Sequence, residues 1–149
     1  MPINGTYFAW EDLTVMLPTG PAIDLTEIEH SWDRELEHVY GQGAAPRGVG
    51  RGNLKLEGKM TMKREQYNLL LIYAKGAGKS LPRLAPFTIT CVYGNEDQGT
   101  STDQLLRVRL KHGAKTMKQG DKTSEVSLDF LFEDLEENGV SITAGLNLL

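Results

Sequence analysis

The sequence predicts a mainly β protein, an antiparallel β-sandwich or small barrel with one flanking α-helix and a long β-hairpin loop. Three observations lead there. Apolar and polar residues alternate in several separate runs, as strands with one packed and one wet face require. A single run, 63–74, changes to a three-to-four spacing. Turn-forming residues divide the strand runs at short intervals.

A chain of 149 residues suits one domain spanning 1–149, large enough to bury roughly two thirds of its unfolded surface. A formal charge of −4 and a pI near 5.4 give no overall attraction to nucleic acid or to an anionic membrane. The lone cysteine, Cys91, excludes an internal disulfide. The chain shows no basic-then-apolar leader and no apolar run long enough to cross a bilayer. The expectation is a protein made and kept in a cytoplasm unless other machinery carries it out, with no membrane insertion of its own.

Taken in order, 7–10 and 13–17 read as short strands, and Pro18 to Pro21 as a turn. Residues 22–62 then form the element that organises the chain. Glu27, Glu29, Asp33, Glu35 and Glu37 fall on one side of an extended segment, and Ile28, His30, Trp32, Arg34, Leu36, His38 and Tyr40 on the other. After a loop over 40–53, Leu54, Leu56, Met60 and Met62 alternate with Lys55, Glu57, Lys59 and Thr61. This is a hairpin with one wet and one packed face. Charge matching predicts a register with Glu37 opposite Lys55, Asp33 opposite Lys59 and Glu29 opposite Lys63. The same register sets Leu36 against Leu56 and Trp32 against Met60, which makes Trp32 a core residue.

The run 63–74 places Tyr67, Leu70, Leu71 and Ala74 at helical spacing, and Gly76 and Gly78 end it. Strands return with Phe87, Ile89, Cys91 and Tyr93 on one face, then a turn over 94–99. Leu106, Val108 and Leu110 alternate with Arg107, Arg109 and Lys111, and a polar connector covers 113–123. Val126, Leu128, Phe130 and Phe132 mark the next strand, 133–139 an acidic turn, and Val140, Ile142 and Ala144 a final strand.

Few residues point to chemistry. The stretch Gly76-Ala77-Gly78-Lys79-Ser80 is similar to the end of a phosphate-binding loop. That motif needs a glycine where Tyr73 stands and a strand before it, whereas a helix precedes it here. It reads as a helix C-cap. His30, His38 and His112 are scattered, and Cys91 lies on an apolar strand face. No catalytic, cofactor-binding or metal-binding residues are predicted.

The loop, with Arg47 and Arg51 among glycines, has three readings. It can contact nucleic acid, although no aromatic is interleaved. It can be a mobile surface loop, or one that orders against another copy of the chain. The strand edges pose a related question, because free edges invite pairing and only closure removes them. A ring of subunits whose sheets join into one barrel is one route to closure. The acidic stripe then lines a lumen that repels DNA phosphates; otherwise it faces bulk water.

Glu27-Ile-Glu-His-Ser-Trp32, Val39-Tyr-Gly-Gln-Gly43, Pro46-Arg-Gly-Val-Gly-Arg-Gly52, Leu54-Lys-Leu-Glu-Gly58 and Lys63-Arg-Glu65 together resemble the tail tube proteins of tailed phages. The likeness is above all to the core tail proteins of contractile phages and phage-derived particles, and it covers about 23–74. It implies a β-sandwich with a flanking helix, assembled as stacked hexameric rings whose inner sheets form a continuous barrel, with no enzymatic activity and no cofactor. Genome DNA passes through such a channel without specific binding, as does a tape measure protein, and a sheath surrounds contractile tubes. The implied location is the virion tail, assembled in the bacterial host cytoplasm.

By that resemblance the loop joins subunits through Gly41, Gly43, Pro46, Arg47, Gly48, Gly50, Arg51 and Gly52, with Arg47 and Arg51 as ionic contacts. Glu27, Glu29, Asp33, Glu35 and Glu37 match an acidic lumen in sign. The basic stripe Arg107, Arg109, Lys111 does not, and either pairs with acids on a neighbouring strand or faces outward toward a sheath. Two other readings stand beside this one: the ring-forming tube subunit of a bacterial secretion or injection system, and a monomeric β-barrel binding module that uses the Gly/Arg loop.

Overall fold

Runs of alternating residues become strands here, and the strands join edge to edge. The computed structural model describes residues 7–95 and 99–144, and among them nine strands form one sheet, seven of them along one hydrogen-bonded path. β1 (Leu13–Leu17), β2 (Gly20–Pro21), β3 (Leu25–Tyr40) and β4 (Pro46–Lys63) precede the helix α1 (Arg64–Ala77). β5 (Phe87–Tyr93), β6 (Ser101–Thr116), β7 (Glu125–Leu131), β8 (Asp134–Glu137) and β9 (Val140–Ser141) follow it. The order is β2-β1-β5-β6-β7-β4-β3, with β8 on β6 and β9 on β8. Every pairing is antiparallel. The mainly β class with one α-helix is what the described residues adopt.

β6 belongs to both halves of this path. Its residues up to Val108 pair with β5 and β8, and those from Arg109 pair with β7. Between them Arg107 has φ 56°, a left-handed conformation that is uncommon outside glycine. It resets the phase of the strand, so Leu105 and Val108 are both fully buried. Unbroken alternation through Leu106, Val108 and Leu110 is thereby corrected. Ile89, Cys91 and Leu105 from one half meet Met60, Met62, Val126 and Phe130 from the other in a single core.

The hairpin β3–β4 has the predicted faces but a different register. Glu29 lies opposite Lys59, Asp33 opposite Lys55 and Trp32 opposite Leu56. Because Lys55, Lys59 and Lys63 are spaced by four, Glu29 and Asp33 still meet lysines four residues away, while Glu37 falls opposite Gly50. The observed register closes a shorter loop, which costs less chain entropy. The loop shrinks to 41–45, and Pro46 to Gly52 pair with the strand as far as Tyr40. An extra residue on β4 near Gly52 and Asn53 shifts the register between Arg34 and Leu36. Beyond this point the hairpin projects from the core. Trp32 is on the predicted side, yet it is 57% exposed and not a core residue.

α1 buries Gln66, Tyr67, Leu70 and Ala74, one side of a 3.6-residue repeat. It runs three residues past the predicted end and stops at Gly78, whose φ of 71° is the left-handed cap. Near its start Tyr67 lies under two cations, with Arg64 Cζ 5.3 Å and Lys115 Nζ 5.1 Å from the ring centroid.

Three smaller expectations change. Residues 7–9 form no strand, and Trp10–Asp12 is a 3₁₀ turn. The acidic stretch 133–139 contains β8, which turns at Asn138 (φ 51°) and Gly139 (φ 88°) into β9. The final strand is only Val140–Ser141. The centre of the predicted turn 94–99 lies outside the described residues.

Candidate assembly surface

The segment of β6 from Arg109 onward, with β7, β4 and β3, makes a four-stranded sheet whose two faces differ sharply. Inward-pointing Met60, Met62, Val126, Leu128 and Phe130 are buried. The other face is polar because the period of two sends every alternate residue away from the core. Glu29 opposes Lys59, Lys59 opposes Asp129, and Asp129 opposes His112, so one row of charged and polar groups crosses all four strands. A neighbouring row runs from Glu27 through Thr61 to Ser127, where the two hydroxyl oxygens lie 3.3 Å apart. At the end of the sheet Lys63 faces Glu125. Lys111 sits in a shallow groove on this face with Glu29, Lys59 and Asp129.

Of the acids expected to share a face, Glu27, Glu29 and Asp33 lie on this sheet. Glu35 and Glu37 continue the same side of β3 onto the projecting hairpin, where they line an open groove with Leu36, Val39, Gly50, Arg51 and Gly52. Gly52 gives Glu35 room. A Cβ at Gly52 would collide with the Glu35 side chain. Of the residues assigned to a loop, Gly41 and Gly43 (φ 104°) are in the turn. Pro46, Arg47, Gly48, Gly50, Arg51 and Gly52 belong to β4, which corrects the long structureless loop. The Arg47 side chain lies where a Cβ on Gly41 would be. Neither Arg47 nor Arg51 forms an ion pair among the described residues.

The sequence reading missed the apolar character of the hairpin. Trp32, Leu36, Val39, Tyr40 and Val49 are all exposed on it. Once the strands are extended past the core, alternation that reads as a packed face becomes an uncovered one. It also missed a polar knot around Asp134. The buried Asp134 carboxylate accepts hydrogen bonds from the Ser141 hydroxyl (2.8 and 3.0 Å), the Thr143 hydroxyl (3.2 Å) and the Leu135 N–H. The Asn138-Gly139 turn signal was the available clue that these residues meet.

The remaining candidates do not converge. His30 approaches Asp103 at 3.5 Å, bridging β3 and β6, while His38 is at the hairpin end and His112 on the polar face. No group of three or more His, Cys, Asp or Glu is placed to hold a metal among the described residues. Cys91 is fully buried, and burial first, then the Asp103 charge, pushes its thiol up to about 12. Gly78 caps a helix, not a phosphate. No helix among the described residues is long and apolar enough to cross a membrane.

No protein-family model and no curated protein sequence matches the chain. Solved structures do. The tail tube of SPP1 superposes with a TM-score of 0.63 at 13% identity, over 96% of this chain and 87% of that one. A chain of the PVC sheath–tube complex, an extracellular contractile injection system in its extended state, gives 0.61 at 10% identity over 90% and 93%. Hcp1 from Flavobacterium johnsoniae gives 0.51 at 5% identity over 87% and 97%. The chain has the fold shared by phage tail tube proteins, contractile injection system components and Hcp proteins of type six secretion.

Proposed function

We propose that this chain is the structural subunit of a phage tail tube, without enzymatic activity, that assembles as hexameric rings stacked around a channel. The observation that carries the reading is the four-stranded sheet β6-β7-β4-β3. It has a buried face, a charged face, and no described strand on the outer edge of β3 or beside 111–116 of β6. Joining such sheets around a ring removes both edges. The polar face then lines the lumen, with Glu27, Glu29 and Asp33 on the sheet and Glu35 and Glu37 on the hairpin. The acids of this face interleave with Lys55, Lys59, Lys63 and Lys111, so the wall offers no continuous basic field to hold phosphates and genome DNA slides through without specific binding.

The exposed hairpin end, with Gly41, Gly43, Pro46, Arg47, Gly48, Gly50, Arg51 and Gly52, joins neighbouring subunits and successive rings. Its uncovered Trp32, Leu36 and Tyr40 supply apolar contact. A tape measure protein inside and a sheath outside complete the partners, and the particle is a virion tail built in the host cytoplasm. The second reading, a tube subunit of a bacterial secretion or injection system, is favoured equally by the likeness to the PVC and Hcp structures. It shares the ring and differs in what passes through.

Negative-stain electron microscopy of the purified protein across a concentration series, with light scattering for mass, tests the reading. Rings or hollow tubes are expected. A protein that remains monomeric throughout contradicts assembly by this chain alone and favours the monomeric binding module.

A further inference from the structure

β8 and β9 are joined by the two residues Asn138 and Gly139, since Glu137 is the partner of Val140. Both have positive φ, 51° and 88°, which makes the type I′ turn that an Asn-Gly pair favours. Two hydrogen bonds fasten this turn to β6. The Asn138 N–H donates to the Thr102 carbonyl at 2.8 Å, and the Thr102 N–H donates to Asn138 Oδ1 at 2.7 Å. Asn138 and Gly139 are both exposed.

The same pair is chemically labile. Gly139 has no side chain to shield its backbone nitrogen, and a Cβ there would meet nothing within 4 Å. Once hydroxide has taken its proton, that nitrogen bonds to Asn138 Cγ. The bond from Cγ to the side-chain amide nitrogen breaks, and ammonia leaves with a proton from water. Water then opens the five-membered imide at one of its two carbonyls and leaves aspartate or isoaspartate at 138. No oxidant or reductant enters. Ring closure needs Cγ beside the Gly139 nitrogen. A type I′ turn holds ψ of its first central residue positive, which puts Cβ on the far side of the peptide from that nitrogen. The bond from Thr102 holds Oδ1 on β6 as well. The closed turn therefore protects what its sequence makes reactive.

We propose that Asn138 is a site of spontaneous deamidation, gated by release of the turn from Thr102, and that its conversion unfastens the buried carboxylate of Asp134. The second half follows from what the turn holds in place. The Ser141 and Thr143 hydroxyls, which follow directly on the turn, donate to Asp134 at 2.8 and 3.2 Å. Isoaspartate adds a methylene to the main chain of a turn built for two residues. Aspartate adds a charge beside Glu137, which already stands opposite Asp103. Either product loosens β9, whose two residues pair with β8. Asp134, 8% exposed, then loses donors that a buried carboxylate needs. An exposed covalent event thereby reaches a buried charge. The chemistry belongs to the single subunit, whatever it assembles into.

The test ages the full chain at mildly alkaline pH, folded and in denaturant, and follows each asparagine by peptide mass and an isoaspartate assay. In denaturant Asn138 should convert faster than Asn53, Asn68 and Asn95, none of which precedes a glycine. In the folded protein it should convert at least about tenfold more slowly than in denaturant, the effect of two ordinary hydrogen bonds on an opening equilibrium. Thr102→Pro removes the N–H that holds Oδ1 and should speed the folded reaction in protein that still melts cooperatively. Converted protein, separated by charge, should exchange its amides over 134–143 faster than fresh protein. Asn138→Gly keeps a type I′ turn and, aged alike, should show no such change. Asn138 converting no faster than the other three in denaturant overturns the site. Equal rates in folded and denatured protein, or no acceleration in folded Thr102→Pro, overturn the gate. Converted protein with unchanged exchange over 134–143 overturns the link to Asp134.

Discussion

Arg107 donates from Nε to Glu133 Oε2 at 2.6 Å, and the pair sits where β6 passes from one half of the fold to the other. The Glu133 N–H donates to the Leu106 carbonyl at 3.0 Å, so side chain and backbone clasp the same corner. Both side chains are more than half exposed, and an ion pair of that kind contributes less than about 1 kcal/mol. Backbone conformation matters more. Arg107→Gly should melt at or above the parent, because glycine adopts φ 56° freely. Arg107→Val should lose about 1–2 kcal/mol. Thermal melts of the two variants check this, and equal melting points contradict strain at the corner.

Gly58 is held by space, not by its dihedral angles. A Cβ there would stand 2.6 Å from both Phe130 Cζ and the Glu29 carbonyl oxygen. Phe130 is fully buried and cannot swing away. Gly58→Ala should cost about 1–3 kcal/mol, and Phe130→Leu in the same chain should recover part of that by opening the site. Additive losses in a double-mutant cycle would count against the contact.

Gln66 is fully buried on α1, and neither of its amide atoms has a hydrogen-bond partner among the described residues. An unmet buried polar group costs about 1–3 kcal/mol. Gln66→Met should therefore raise the denaturation midpoint with an unchanged slope. A fall in the midpoint would show that the amide is satisfied in solution.

Cys91 gives the protein an alkaline weakness. Its thiol has an ordinary value of 9.0 and is pushed up to about 12 in the fold, chiefly by burial. Tyr93 is raised from 10.0, also by burial first. In both, the folded state favours the neutral form. Their contribution to stability is complete below pH 9 and is lost as pH climbs toward 12. Iodoacetamide should leave Cys91 unmodified at pH 8 in the folded protein and label it quickly in denaturant. Cys91→Ala should flatten the alkaline fall in melting temperature.

Which residues share a face was legible, because a period of two admits no other strand geometry; Glu29 and Asp33 stand opposite lysines, though not the lysines that the predicted register chose. Register was not, since lysines spaced by four satisfy two registers at once and only loop closure separates them. Burial was not legible either, because alternation shows which side of a strand is apolar and not whether anything covers it. Trp32 is the example. At 57% exposure, Trp32→Ala should change stability by less than about 1 kcal/mol, far below the 3–5 expected of a core tryptophan. It should weaken assembly instead. The Arg107 corner left no trace in the pattern, since arginine is an ordinary strand residue by composition.

Amide hydrogen exchange, comparing dilute and assembled protein peptide by peptide, tests the central claim most directly. If sheets close edge to edge around a ring, β3 over 27–37 and β6 over 111–116 should gain protection together on assembly, while the β4 and β7 amides between them, already paired, should change little. Rings or tubes in which both edges exchange as fast as in the dilute subunit would contradict a closed sheet and leave the hairpin as the only joint between copies.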